Sequence, residues 1–255
     1  MKKIIVTIIV SIIHTNIMLA QSGGDGPPIL VNNNDPLPIR LPPSRLEYTN
    51  SNYYVIELTN NQGVLINQQV PFTDVQGTPY FNTDWTNATI ITKAQDTFYN
   101  VPIKMNLQSN KVYYKKTDLQ YTIVDNEAIR KIIIPSLAGN IVFANRFTAI
   151  DNQNYYSYYQ VLTQGTYTLL CYKKVVYTQH KNDMSGEITN TFEPYNTYYI
   201  QVGESIKKYN PKKDVKEFIN PTDLTTYNNL LTATAGQKKG IDQTIELFKQ
   251  LNGKK

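Results

Sequence analysis

Any chemistry in this 255-residue chain has to pass through few side chains. Histidine occurs at His14 and His180 only, and cysteine at Cys171 only. A Cys/His nucleophile pair needs its two side chains within hydrogen-bond reach. Cys171 and His180 lie about 30 Å apart along an extended strand, so that pair requires a sharp fold-back of the chain. No Ser sits in a Gly-x-Ser-x-Gly turn, and any Ser-His-Asp arrangement would have to use His180. One Cys and one His do not make a usual zinc site. The stretches Asp151-Asn152-Gln153-Asn154 and Asn182-Asp183 lack the acidic density of a calcium loop and read as ordinary turns. Asp74, Asp84, Asp118, Asp125, Glu187 and Glu193 are candidates for a glycosidase carboxylate pair. Spacing alone brings no two of them together. The expectation is therefore no catalytic residue, no metal and no cofactor.

Tyrosine is the unusual feature: twenty, against one Trp and eight Phe. They cluster as Tyr53-Tyr54, Tyr113-Tyr114, Tyr155-Tyr156, Tyr158-Tyr159 and Tyr198-Tyr199. Neighbouring side chains of a strand point to opposite faces, so each pair should place one ring in the core and one outside. An exposed row of Tyr rings can stack on sugars or meet a protein partner; Tyr is equally a good cross-strand packer. If a binding surface exists, it is expected at Tyr156, Tyr158 and Tyr172, and at Trp85 in Asn82-Thr83-Asp84-Trp85.

The elements that would position these residues are legible as patterns. Residues 1–20 read as a signal peptide: Lys2 and Lys3, the apolar run Ile4 to Ile13, then Met18-Leu19-Ala20 before Gln21. That run is shorter than the roughly 20 residues of a membrane span, so cleavage after Ala20 leaves no integral membrane segment. Residues 21–45 form a leader rich in Pro, Gly and Asn, which cannot join a sheet interior. Residues 46–210 read as an antiparallel β domain, with strands at 53–58, 63–70, 88–93, 97–107, 111–116, 119–125, 128–134, 140–148, 154–162, 166–178 and 195–202. Tyr, Ile, Val and Thr dominate there, and short turns such as Gln108-Ser109-Asn110 and Thr163-Gln164-Gly165 join neighbours. Residues 211–255 change period. Leu224, Tyr227, Leu230 and Leu231 form one helical stripe, with Gly236 as its stop. Ile241, Ile245, Phe248 and Leu251 form a second. The fold expected is mainly β, an antiparallel sandwich or curled meander of about ten strands, with two C-terminal amphipathic helices packed on it as a hairpin.

The formal charge is +5, and loss of Lys2 and Lys3 with the signal lowers it by two. The remaining lysines are dispersed in pairs such as Lys115–Lys116, Lys173–Lys174 and Lys207–Lys208, which read as solvated strand ends. Nucleic-acid binding wants a concentrated stripe instead. Cys171 lies in the apolar Leu169-Leu170-Cys171-Tyr172, as a small core residue would.

The signal cut before Gln21 is similar to that of many exported Bacteroidota proteins. Gly77-Thr78-Pro79-Tyr80-Phe81, the segment Tyr99 to Asn106 with Val112-Tyr113-Tyr114-Lys115, and Tyr158 to Leu162 before Leu169 to Lys174 resemble their uncharacterised β-rich envelope proteins, over roughly 75–255. The resemblance implies a Gram-negative periplasm or envelope location and a fold, and no activity. The function expected is recognition, without catalysis, of a glycan, peptide or protein partner in the envelope. A carboxylate hydrolase and a structural part of an envelope assembly are the alternatives.

Overall fold

Where side chains alternate between core and solvent, as in Thr86–Thr92, the chain forms strands. The computed structural model describes residues 53–59, 65–116, 121–234 and 240–253. The expected signal peptide and leader lie outside the described residues, as do Asp118 and Gly236. Among the described residues there are thirteen strands: β1 (Tyr53–Thr59), β2 (Leu65–Pro71), β3 (Val75–Gln76), β4 (Thr86–Thr92), β5 (Thr97–Asn106), β6 (Lys111–Lys115), β7 (Tyr121–Val124), β8 (Ile129–Ile134), β9 (Ile141–Ala144), β10 (Tyr159–Thr163), β11 (Tyr167–Lys181), β12 (Ile188–Val202) and β13 (Ser205–Tyr209). Helices α1 (Leu224–Thr234) and α2 (Ile241–Asn252) follow.

β1 and β2 pair with each other, and the other eleven strands make one sheet in the order β13-β12-β11-β10-β9-β8-β4-β5-β6-β7, with β3 against β12. All pairings are antiparallel except β3 with β12. β7 pairs with β6 and β8 with β4, yet only residues 125–128 separate β7 from β8. That short link forces the β8-β4-β5-β6-β7 stretch to curl. The curl is closed over by the far half of the β11–β12 hairpin. Val175 and Phe192 join Ile90, Ile103, Ile129, Ile132 and Phe143 in one core, and Val175 N donates to Leu107 O at 3.3 Å.

The β11–β12 hairpin is longer than the sequence pattern predicts, with fifteen residues in each strand. Its turn is set by Asn182, whose Oδ1 accepts from Met184 N and Ser185 N, and by Gly186 at φ 70°. Pro194 is tolerated inside β12 because β3 borders only Asn190 and Thr191 and β13 only Tyr198 to Val202. The outer edge between them has no ladder to break. Conversely, the expected strands 140–148 and 154–162 are shorter. Arg146 and Asp151 take positive φ of 72° and 52°, which turns residues 145–158 into an irregular loop.

Both faces of the β10–β13 half are covered. On one face Tyr167, Leu169, Ile200 and Tyr209 pack under α2 residues Leu247, Phe248 and Leu251 and α1 residue Tyr227. On the other, Leu170 and Tyr199 pack with Tyr159 beneath Phe147 and Ile150 of the 145–158 loop. α2 carries Asp242 in its first turn and Lys249 in its last, each matching the helix dipole. Among the described residues no helix is long and apolar enough to cross a membrane.

Candidate functional site

The tyrosines serve first as anchors, because a ring can fill a core while its hydroxyl finds a polar partner at the edge. Tyr167 OH donates to Asp223 Oδ2 at 2.6 Å and accepts from Asn220 N at 3.0 Å. Tyr227 OH donates to Asp214, and Tyr209 OH donates to Lys213 O at 3.1 Å beside Thr244 Oγ1. Together they tie the C-terminal segment to the sheet. Tyr199 OH donates to Asp151 Oδ2 at 2.7 Å, and Lys208 Nζ sits 3.3 Å from the same oxygen. The Tyr199 hydrogen bond, aided by Lys208, lowers the Asp151 carboxyl pKa. Burial, then the carboxylate beside each, raises the phenol pKa of Tyr167, Tyr199 and Tyr227.

Of the sequence candidates, Tyr158 is only 1% exposed and its hydroxyl is buried without a hydrogen-bond partner among the described residues. It therefore offers no ring to a ligand. Tyr158 and Tyr159 are both buried, against the expected one-in, one-out split, because both sides of the sheet are covered here. The Tyr158 backbone is held by Asn110, whose Oδ1 accepts from Tyr158 N at 2.8 Å. Asn126 Nδ2 donates to Asn110 O, and Asn145 Nδ2 donates to Asn126 O and Ile129 O. These amides stitch three turns together. Tyr172 is half-buried against Tyr159, with ring centroids 5.5 Å apart, and Tyr156 packs edge-on to Tyr155.

The nucleophile candidates stay apart. Cys171 and His180 both lie on β11, the first buried and the second on the exposed far end. Burial pushes the Cys171 thiol up to about 11. His180, two residues past the expected strand 166–178, is in β11, where its Nε2 is 2.8 Å from Glu193 Oε1. Glu193 also accepts from Thr178 Oγ1 at 3.1 Å and from Tyr195 OH at 2.6 Å. Those bonds, Tyr195 first, hold its carboxyl pKa down. Asp74 and Asp125 accept from Thr73 and from Glu127 N, as turn residues do. Among the described residues no group of three His, Cys, Asp or Glu could hold a metal.

Two clefts remain. The larger, about 860 Å³, is an open groove whose lining includes one residue from each of five neighbouring strands: Lys131 of β8, Ala144 of β9, Val161 of β10, Thr168 of β11 and Gln201 of β12. Register makes this row. Lys131 faces Ala144 and Thr168 faces Gln201 across the ladders, and facing residues share a side of the sheet. Phe147 adds apolar surface, and Gln164 and Asn220 add amides. The described lining holds hydroxyls, amides and one ammonium but no carboxylate. Such a surface donates and accepts hydrogen bonds but has no residue for acid–base work of the glycosidase kind.

The smaller cleft, about 410 Å³, lies between the segment 77–81 and the β11–β12 hairpin. Tyr80, Phe81, Pro194 and Tyr195 line it with Lys173 and Lys174. Tyr80 continues this surface toward Trp85. Lys104 Nζ stands 4.9 Å from the Tyr80 ring and 5.6 Å from the Trp85 ring, and Trp85 packs on Tyr121 at 5.9 Å. Burial lowers the pKa of the Lys104 ammonium, and Asp84 partly opposes that shift.

None of the four sequence candidates lines either cleft; Trp85 is linked to the smaller one through Lys104 and Tyr80. The groove residues carry no sequence signal: single polar side chains spread over ninety positions acquire a common side only through register. Lys173 and Lys174, read as strand ends, sit in the middle of β11 because the strand runs on to Lys181. Compared with known proteins, the chain matches no family model, no curated protein and no solved structure.

Proposed function

We propose that this chain is an exported, non-catalytic protein of the cell envelope that recognises a glycan along the β8–β12 groove. The observation that carries the reading is the groove itself: a row of amide, hydroxyl and ammonium groups over an apolar floor of Ala144, Val161 and Phe147. Sugars present that combination, hydroxyls at the ring edge and C–H groups on the ring face, and specific sites are mostly apolar with a few placed polar groups. Export is supported by the basic start, short apolar run and small residue before Gln21. The test is calorimetric titration of the protein with a panel of neutral oligosaccharides, repeated with the Lys131→Ala/Gln164→Ala variant. Neither side chain makes a hydrogen bond or ion pair among the described residues, so the melting temperature should not move, while affinity should fall by roughly tenfold. No binding across the panel, or binding indifferent to the double variant, overturns the groove reading. N-terminal sequencing of the exported protein should begin at Gln21.

A further inference from the structure

The 145–158 loop borders the groove, and it is held unlike the rest of the fold. Its two ends are fixed: Asn145 Nδ2 donates to Asn126 O and Ile129 O, and Tyr158 N donates to Asn110 Oδ1. A bond from Arg146 N to Tyr155 O at 2.7 Å closes the neck. Beyond the neck, among the described residues, no backbone hydrogen bond joins residues 147–154 to a strand. Side chains alone hold this tip down. Asp151 Oδ2 accepts from Tyr199 OH at 2.7 Å and sits 3.3 Å from Lys208 Nζ, and Gln153 Oε1 lies 3.0 Å from the same hydroxyl. Phe147 and Ile150 add apolar contact.

What the tip covers continues the groove. Tyr159 faces Ala144, and Leu170 faces Tyr199, across the ladders. Leu170 and Tyr199 are each two residues along from Thr168 and Gln201, and Tyr172 is two beyond Leu170, so all four share the groove's side of the sheet. Phe147 belongs to both regions, since it lines the groove and packs edge-on to Tyr159 at 5.5 Å. The Tyr159 ring meets Tyr172 at 5.5 Å and Tyr199 at 5.7 Å. Tyr159 is 1% exposed, and its hydroxyl is buried with no hydrogen-bond partner among the described residues. An unpaired buried hydroxyl is unfavourable, and packing has no use for it. We infer that the 145–158 loop is a lid, and that a glycan in the groove extends beneath it when the tip lifts, stacking a sugar ring on Tyr159 and Tyr172. This lid presupposes the glycan groove and adds a second half to it. With the tip raised, Tyr159 replaces Phe147 as the floor and its free hydroxyl pairs with a sugar hydroxyl. Tyr199 OH, released by Asp151, takes another. A ring with a polar tip suits both tasks. The closed lid restrains binding, because only the open fraction is competent and apparent affinity falls by that fraction.

The experiment uses two variants. Asp151→Gly removes the latch carboxylate at a position whose φ of 52° glycine accepts, and Tyr159→Phe removes only the unpartnered hydroxyl. Without ligand, nitration by tetranitromethane, mapped by mass spectrometry, should reach Tyr159 and Tyr199 roughly fivefold faster in Asp151→Gly than in the wild type. Titration then uses hexamers of glucose, mannose, xylose and N-acetylglucosamine. The hexamer that the wild type binds best should bind roughly fivefold more tightly to Asp151→Gly. The same hexamer should bind roughly fivefold more weakly to Tyr159→Phe, for loss of one hydrogen bond. Melting curves establish that each variant folds; a purely packing role for Tyr159 would leave affinity where it was. Unchanged nitration or unchanged affinity in Asp151→Gly, or wild-type affinity in Tyr159→Phe, overturns the lid. If binding is still lost in Lys131→Ala/Gln164→Ala, the groove reading then stands without it. No binding of any hexamer by the wild type or by Asp151→Gly overturns both.

Discussion

Replacing Asn252 with Ala should loosen α2 from the sheet it covers. The Asn252 side chain closes a clamp across most of the C-terminal third of the chain. Its Oδ1 accepts from Tyr167 N at 3.0 Å, and its Nδ2 donates to Tyr167 O at 2.9 Å and to Gln164 O at 3.3 Å. The three bonds are not equal. Gln164 is exposed, so water replaces Asn252 there at little cost. Tyr167 O keeps a second donor, Thr163 Oγ1 at 3.1 Å. Tyr167 N is the group left stranded, in a residue that is 0% exposed beneath Phe248. A stranded buried donor costs about 1–3 kcal/mol and the lost neutral bond about 1 more, so the expected loss is roughly 2–4 kcal/mol. For a chain of this size that lowers the melting temperature by roughly 5–12 °C. The assay is urea unfolding, read as a lower midpoint at unchanged slope. Asn252→Asp should do no better than Ala, since it keeps the acceptor but sets a carboxylate against Tyr167 O. Gly165→Ala should strike the same clamp from the other side. A Cβ there meets Asn252 side-chain atoms at 2.5–2.8 Å, at a backbone φ of 152°. In the Asn252→Ala background the clash disappears, so the two losses should add to less than their sum. A loss below about 0.5 kcal/mol for Asn252→Ala would refute the reasoning, because solvent-side substitutions already fall within that range.

Further outcomes follow from burial. The Cys171 thiol, raised to about 11 by burial, should stay unreactive toward a thiol reagent at pH 8 in the native protein and react on unfolding. Its protonated form supports the fold fully below its ordinary pKa of 9.0, and that support is lost as pH rises through about 11; rapid stoichiometric labelling at pH 8 would contradict this. The Tyr158 phenol is likewise raised, mainly by burial, so it should ionise only with alkaline unfolding, seen as a late phase in phenolate absorbance. Because its hydroxyl has no partner among the described residues, Tyr158→Phe should leave stability unchanged or raise it by up to about 1 kcal/mol. A drop of more than about 1 kcal/mol would reveal a partner for that hydroxyl.

Much of the secondary structure was legible because its causes are local. The β4 pattern, buried at Ala88, Ile90 and Thr92, follows directly from alternation. Of the expected α2 stripe, Phe248 and Leu251 are buried and Ile241 and Ile245 half-buried, as helical period requires, while Leu247 joins the buried side unforeseen. The exceptions have local interruptions with distant remedies. Residues 188–194 lie outside the expected strand 195–202, yet the partner strand Val175 to Lys181 recruits them residue by residue. Val75–Gln76 is too short to show a period and exists as a strand only because Asn190 and Thr191 offer an edge.

What the sequence by itself determined is the inventory: a tyrosine-rich β body, two amphipathic helices to cover it, and too few histidines and cysteines for the common nucleophile or zinc chemistries. Side-chain type and spacing suffice for that, since propensity and period act over a few residues. Tertiary structure alone decided which rings meet water. Alternation shows that a strand has two faces, but whether the second is covered depends on α2, the 145–158 loop and the returning hairpin, all distant in sequence. So Tyr158 and Tyr159 are both buried, while Tyr195 stands half exposed across the ladder from Lys174. The groove from Lys131 to Gln201 has the same origin: strand register brings those side chains into one row, and register is fixed by pairing partners that no single stretch of sequence contains.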